Sequence, residues 1–301
     1  MYDIIIIGAG PAGMSASIYA RRNNKKTLCL EANSYGGQII NTLDIENYPV
    51  EEHISGFDFA TKLYNQAKNL GTEFKFERVE KIIDNKDYKE VITSKNTYKT
   101  KSIIIAVGAK NKNLGIKKEN DFIGKGISYC ATCDGAFYKG KEVGVVGSGN
   151  TAVEDAIYLS NIANKVYIII RKDKFSADDK NIKELLSKTN IEVVYNSNVV
   201  SLNGDTCLES IDIKNNDGNI SRIEVSGLFI AIGRTPETQM FKGLIDMDDY
   251  GYIISDETTH TNIDGIFVSG DARTKSLRQL VTATSDGAIG ASEAINYVNK
   301  N

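Results

Sequence analysis

Long apolar runs, basic runs, histidines and cysteines are all scarce in this chain, and each scarcity removes a class of function. No stretch of its 301 residues approaches the roughly 20 apolar residues of a membrane span. The apolar start, Ile4 to Ile7, is too short for a signal-peptide core, lacks a basic flank and runs straight into a glycine-rich turn. A cytoplasmic protein is therefore expected. The net charge of -3 and the absence of a basic run argue against nucleic-acid or membrane-surface partners. Four cysteines do not make a secreted disulfide framework at this length. With only two histidines, a structural zinc centre, which needs about four N/S ligands, would have to draw on the scattered Cys29, Cys207, His53 and His260. No metal site is expected. Cys29 reads as a small core residue.

The hydrophobic content of 41% and charged content of 25% describe an ordinary globular protein. The length fits about two domains. Asp3 to Ile7 reads as a buried strand, Pro11 to Arg22 as a helix and Lys26 to Leu30 as a second strand, which together make a βαβ unit. The pattern recurs at Glu142 to Val146, Asn150 to Ser160 and Lys165 to Ile170. Each unit is followed by a turn between strand-like runs, around Ser94-Lys95-Asn96 and at Asn215-Asn216-Asp217-Gly218. Each then reaches a strand ending in glycine, at Gly108 and Gly233. A third such strand, Gly265 to Gly270, has no glycine turn of its own. The expected fold is α/β: two Rossmann-like nucleotide-binding domains, the second inserted into the first. Residues 1–113 and 244–301 form one domain and 114–243 the other, with crossings near Lys112 to Gly115 and Phe241 to Asp246.

The first glycine fingerprint is Gly8-Ala9-Gly10-Pro11-Ala12-Gly13, between a strand and a helix, with Glu31 after the next strand. Such a turn lets backbone approach a pyrophosphate at a helix N-terminus, and the acid accepts from a ribose hydroxyl. The second is Gly147-Ser148-Gly149-Asn150-Thr151-Ala152. Its second strand ends in Ile170-Arg171-Lys172 instead of an acid. Paired cations at Arg171 and Lys172 suit a 2′-phosphate and favour NADP over NAD. The competing reading is a solvated strand end, balanced by Asp173, Asp178 and Asp179.

Between the fingerprints lies Cys130-Ala131-Thr132-Cys133-Asp134. A CxxC pair beside two nucleotide sites points to redox exchange. One thiolate attacks a partner disulfide, the other resolves the mixed disulfide, and Asp134 moves a proton. An unperturbed aspartate titrates near ~3.9, so burial has to raise it for work near neutral pH.

These segments together resemble the bacterial low-molecular-weight thioredoxin reductases, over essentially the whole chain. The resemblance is carried by Cys130 to Asp134, by Gly36-Gly37-Gln38 followed by Glu46-Asn47-Tyr48-Pro49, by Gly233-Arg234-Thr235-Pro236, and by Gly270-Asp271 through Leu277-Arg278-Gln279-Leu280. It implies FAD in the first domain, touched by Gly8, Gly10, Pro11, Ala12, Gly13, Glu31, Gly36, Gly37, Gln38 and Gly108. Asp271, beside Gly270, would hold the ribityl chain, with Arg278, Gln279, Leu280 and Asn47 near the isoalloxazine. It implies NADPH on Gly147, Gly149, Asn150, Thr151 and Ala152. Cys133 would face the flavin and Cys130 would attack thioredoxin, in a homodimer. Family members that use NADPH usually carry His-Arg-Arg and a further Arg, where this chain has Ile170, Arg171, Lys172 and Ser176. NADH, or a donor such as ferredoxin, is the alternative. A dithiol oxidase and a non-catalytic flavin redox sensor also use these parts.

Overall fold

The computed structural model describes residues 1–42 and 44–301. The chain forms two compact units, Met1–Lys110 with Thr235–Asn301, and Asn111–Arg234.

The first unit opens with β1 (Tyr2–Ile7), α1 (Pro11–Arg22) and β2 (Thr27–Glu31). α2 (Gly56–Asn69) follows, capped by Ser55, whose hydroxyl accepts from the Asp58 N–H. Then come β3 (Glu73–Phe76), β4 (Val79–Asp84), β5 (Lys89–Thr93) and β6 (Thr97–Ile105). The sheet order is β3-β2-β1-β6-β5-β4. β1 is parallel to both β2 and β6, and β4 and β5 pair antiparallel. The isoleucines of β1 are buried on both faces, as a central parallel strand requires. Ile5 and Ile7 face a core with Leu28, Val79 and Phe241, whereas Ile4 and Ile6 face Ala12, Ala16, Ala20 and Ala291.

The chain leaves through β7 (Ala109–Asn111). The second unit holds β8 (Ile127–Ser128), α3 (Ala131–Asp134), β9 (Glu142–Val146), α4 (Asn150–Ser160), β10 (Lys165–Ile169), α5 (Asp179–Ser187) and β11 (Ile191–Val194). β12 (Ser197–Asn203), β13 (Ser210–Asn215) and β14 (Ile220–Glu224) form a separate three-stranded sheet. β15 (Gly227–Ile230) returns to the main one, whose order is β11-β10-β9-β15-β8. β16 (Arg234–Pro236) pairs with β7, so the two connecting segments meet as one ribbon. The last elements are β17 (Ile266–Val268), parallel to β6, and α6 (Leu280–Lys300).

The repeated βαβ units, both hairpins and the return of the third glycine-ending strand to the first sheet match the sequence reading. The units change over at Lys110/Asn111 and Arg234/Thr235, earlier than the crossings expected near Lys112 to Gly115 and Phe241 to Asp246. At the second changeover the reason is packing: Phe241 and Ile245 lie in the core of the first unit. Among the described residues, no helix is long and apolar enough to cross a membrane.

Candidate functional site

In the first unit the fingerprint is built by exclusion of side chains. Gly8 has φ +108, and a Cβ there would lie 2.4 Å from the Ala106 carbonyl oxygen. A Cβ on Gly13 would lie 1.9 Å from the Gly8 oxygen, so helix and turn close only on glycine. Gly10 differs: its added Cβ would meet nothing nearer than the Gly37 Cα at 4.0 Å. Backbone here faces open space, a cradle that a phosphate could fill and a side chain would obstruct. Pro11 starts α1 at a position that needs no N–H. Glu31 accepts from the N–H groups of Ala9 and Asn33, each at 2.9 Å, which fixes its carboxylate at the lip of the turn. Gly36 donates its N–H to the Ala9 carbonyl, and Gly37 packs on Gly10. Thus Gly36 and Gly37 join the fingerprint, while Gln38 is exposed on the following 3₁₀ turn. Gly108, with φ +68, also borders open space.

The closing segment reaches the same place through Ala12, which a Cβ on Gly270 would touch at 2.9 Å. Asp271 follows on the 3₁₀ turn Gly270–Ala272. Asn47 donates to the Gln279 side chain at 3.3 Å, so two residues far apart in sequence lie side by side. Gln279 also caps α6, whose first residue is Leu280. Arg278 stacks over the Tyr252 ring at 4.1 Å, and its buried Nε has no hydrogen-bond partner. Open backbone, a buried orphan donor and a fixed acid are the features a dinucleotide-type cofactor needs, and the residues present fit one.

In the second unit, Gly147 has φ +148, and its Cβ would strike the Ala231 oxygen at 2.3 Å and Ala152 at 2.8 Å. Gly149 has ordinary extended angles and nothing within 4 Å of a Cβ. The open backbone of this turn lies at the start of α4, beside Asn150 and Thr151. The segment after β10 folds back on it. Ser176 donates its N–H to the Ser148 carbonyl at 2.8 Å. Asp178 and Asn150 exchange two hydrogen bonds, at 3.1 and 2.8 Å. Arg171 and Lys172 are exposed past the end of β10. The arrangement therefore fixes one carboxylate at the turn, with two exposed cations following the end of β10.

Cys130 and Cys133 form a disulfide, with Cα atoms 5.3 Å apart. α3 turns the chain so that the N–H groups of Cys133 and Asp134 both reach the Cys130 carbonyl. Ser128 organises the centre and was not singled out from sequence. Its hydroxyl donates to Asp134 Oδ2 at 2.6 Å and accepts from the Cys130 N–H at 3.0 Å. Burial raises the Asp134 pKa above the ordinary carboxylate value, and the Ser128 hydrogen bond only partly reverses this. The carboxyl can thus carry a proton nearer neutral pH. Tyr138 lies under the same turn, stacked edge-on against Phe229, with its pKa pushed up to about 12 by burial and by Asp134.

Asp155 on α4 was also missed. Burial raises its pKa to about 7, although Arg234 acts the other way. No local sequence signal marks it, because α4 looks like any amphipathic helix. Cys29 is buried as expected, and burial pushes its thiol pKa up; Cys207 is exposed. Asp44, Glu46 and His53 bring ligand atoms within 4.8 Å of one another, and the pairing of His53 with Asp44 at 2.8 Å accounts for the grouping.

The family model described as pyridine nucleotide-disulphide oxidoreductase matches residues 2–287. A thioredoxin reductase of Listeria monocytogenes is 42% identical over 302 residues, covering 100% of this chain and 95% of its own length. One from Bacillus subtilis is 41% identical, covering 100% and 96%. The crystal structure of thioredoxin reductase from Streptococcus pyogenes superposes with a TM-score of 0.96 at 40% identity, covering 100% of this chain and 99% of that one.

Proposed function

This chain belongs to the pyridine nucleotide-disulphide oxidoreductase family, among the thioredoxin reductases, and we propose that it passes electrons from NADPH through FAD and the Cys130–Cys133 disulfide to thioredoxin. The observation that carries the reading is the disulfide itself, seated beside an aspartate of raised pKa in a chain with two open glycine cradles.

FAD is assigned to the first unit, on Gly8, Gly10, Gly13, Glu31, Gly36 and Gly37, with Asp271, Arg278, Gln279, Leu280 and Asn47 toward its ring. The nicotinamide nucleotide is assigned to the second, on Gly147 to Ala152, with Arg171 and Lys172 for a 2′-phosphate. When bound, the flavin supplies the two-electron relay between a hydride donor and a disulfide. The chain's own residues handle sulfur and protons. Two electrons and two protons convert Cys130–Cys133 to a dithiol. The Cys130 thiolate then attacks one sulfur of the thioredoxin disulfide, giving a mixed disulfide and releasing a partner thiolate that takes up a proton. Cys133, as thiolate, attacks Cys130, re-forming the internal disulfide and releasing the second partner sulfur, which is protonated in turn. Asp134 takes the proton from the attacking thiol and returns it to a departing sulfur, held in place by Ser128. A cytoplasmic homodimer is the assembly proposed with this chemistry.

The test is NADPH-dependent reduction of a thioredoxin by the purified protein. Cys130→Ser and Cys133→Ser should each abolish turnover while leaving reduction of bound flavin by nucleotide intact. Unimpaired turnover by either variant, or a colourless protein that FAD cannot reconstitute, would overturn the reading.

A further inference from the structure

The segment Gly270–Gln279 carries three of the residues assigned to the flavin, Asp271, Arg278 and Gln279, and it makes few regular backbone pairings of its own. Ala272 and Thr274 tie it to Ile253 through backbone hydrogen bonds, and the Thr274 hydroxyl ties it to Ser255. Most of the remaining anchoring converges on one carboxylate on the second turn of α6. Asp286 is 3% exposed. Its Oδ2 accepts from the Gly270 N–H at 3.0 Å, from Arg273 Nε at 2.9 Å and from Lys275 Nζ at 2.8 Å. Its Oδ1 accepts from Arg273 Nη2 at 3.0 Å, completing a bidentate fork. Ser269 adds a bond from its hydroxyl to the Asp286 carbonyl. The segment closes on itself where Arg278 donates to the Arg273 carbonyl at 3.2 Å.

A carboxylate inside a helix and out of water is costly unless it is fully paired. Here it meets two cations, Arg273 at 2% and Lys275 at 5% side-chain exposure. Burial raises its pKa, but Arg273 and Lys275 more than reverse this, so the group stays ionised. Glu257, the other acid near Arg273, lies at 3.6 Å and is 89% exposed, so it offsets little of the second positive charge. Gly270 has φ +76 and sits against Ala12 of the fingerprint, so the N–H that Asp286 holds marks the point where the chain reverses beside the cradle.

We propose that Asp286 is the positioning residue of the flavin site: through Gly270, Arg273 and Lys275 it sets the course of the segment that presents Asp271, Arg278 and Gln279. The inference rests on FAD occupying the first unit, and the test separates the two.

The experiment titrates flavin-stripped full-length protein into FAD and reads the dissociation constant from flavin fluorescence, with thermal unfolding of the apoprotein in parallel. Failure of the wild-type apoprotein to bind FAD would overturn the assignment of the unit. With wild-type binding established, Asp286→Asn should weaken FAD at least tenfold and shift the visible flavin band of the loaded protein. Lys275→Met, which keeps the fork from Arg273 and the Gly270 bond, should weaken FAD less than Asp286→Asn does. A folded Asp286→Asn apoprotein with the wild-type constant and spectrum, even one of lower melting temperature, would show a merely structural role and overturn the proposal. Should that variant not fold, the double variant with Lys275→Met, which strands one cation fewer, is judged by the same tenfold criterion; if it too fails to fold, Asp286 is a folding residue and the proposal falls.

Discussion

Replacing Gly149 by alanine should damage nucleotide binding and nothing else. The backbone there is extended, with φ -85 and ψ 179, which any residue adopts, and no atom lies within 4 Å of the new Cβ. Folding should be unharmed or helped by about 0.4–1 kcal/mol, because alanine restricts the unfolded chain. The methyl instead enters the space a pyrophosphate needs for close approach to the turn. Losing one charge-assisted N–H bond there costs about 2–3 kcal/mol, or roughly a 30- to 140-fold rise in the nucleotide's apparent KM. Gly147→Ala is the control, since φ +148 and a contact of 2.3 Å to the Ala231 oxygen strain the fold itself. Thermal unfolding and flavin bleaching by NADPH in a stopped-flow instrument separate the two effects, and dithionite reduction bypasses the nucleotide. The reasoning is refuted if Gly149→Ala melts as low as Gly147→Ala, or if its KM stays within twofold of the parent.

Asp155 should make the protein less stable as pH rises. The native carboxyl holds its proton to about pH 7, whereas the unfolded one releases it near the ordinary 3.8. Stability is therefore lost between those values, by about 4 kcal/mol at most. Asp155→Asn should melt near the parent at pH 4–5 and above it at pH 8; equal melting at both would contradict the burial argument. Ser128→Ala removes a hydrogen bond that lowers the Asp134 pKa, so the limb of the pH–rate profile governed by that acid should move to higher pH. An unmoved limb would take Asp134 out of the proton transfer. Arg171→Ala with Lys172→Ala should raise the KM for NADPH several-fold at low salt and leave that for NADH unchanged. A parallel rise for both nucleotides would remove these residues from phosphate recognition.

The first βαβ unit, its counterpart and the redox pair were legible because their signals are local. A run of isoleucines, a glycine fingerprint and a short helix pattern need only a few adjacent residues to be read. By itself the sequence determined that there would be two nucleotide-type units, where their turns lie and which sulfurs pair. It also marked Arg278 and Gln279 only through resemblance, since nothing local distinguishes them.

Tertiary structure alone decided the rest. Whether a fingerprint glycine is closed off, as Gly13 is by the Gly8 oxygen, or open, as Gly149 is, depends on strands and helices brought together from distant positions. The raised pKa values of Asp134 and Asp155 arise from burial, which no single segment specifies. The network on Asp286 joins residues from β17's end to the second turn of α6, and Asn47 meets Gln279 across most of the chain. A propensity or a period encodes what one residue does to its neighbours along the backbone. Desolvation and charge pairing act through space, so they come into being only when the sheets and helices within each unit have packed.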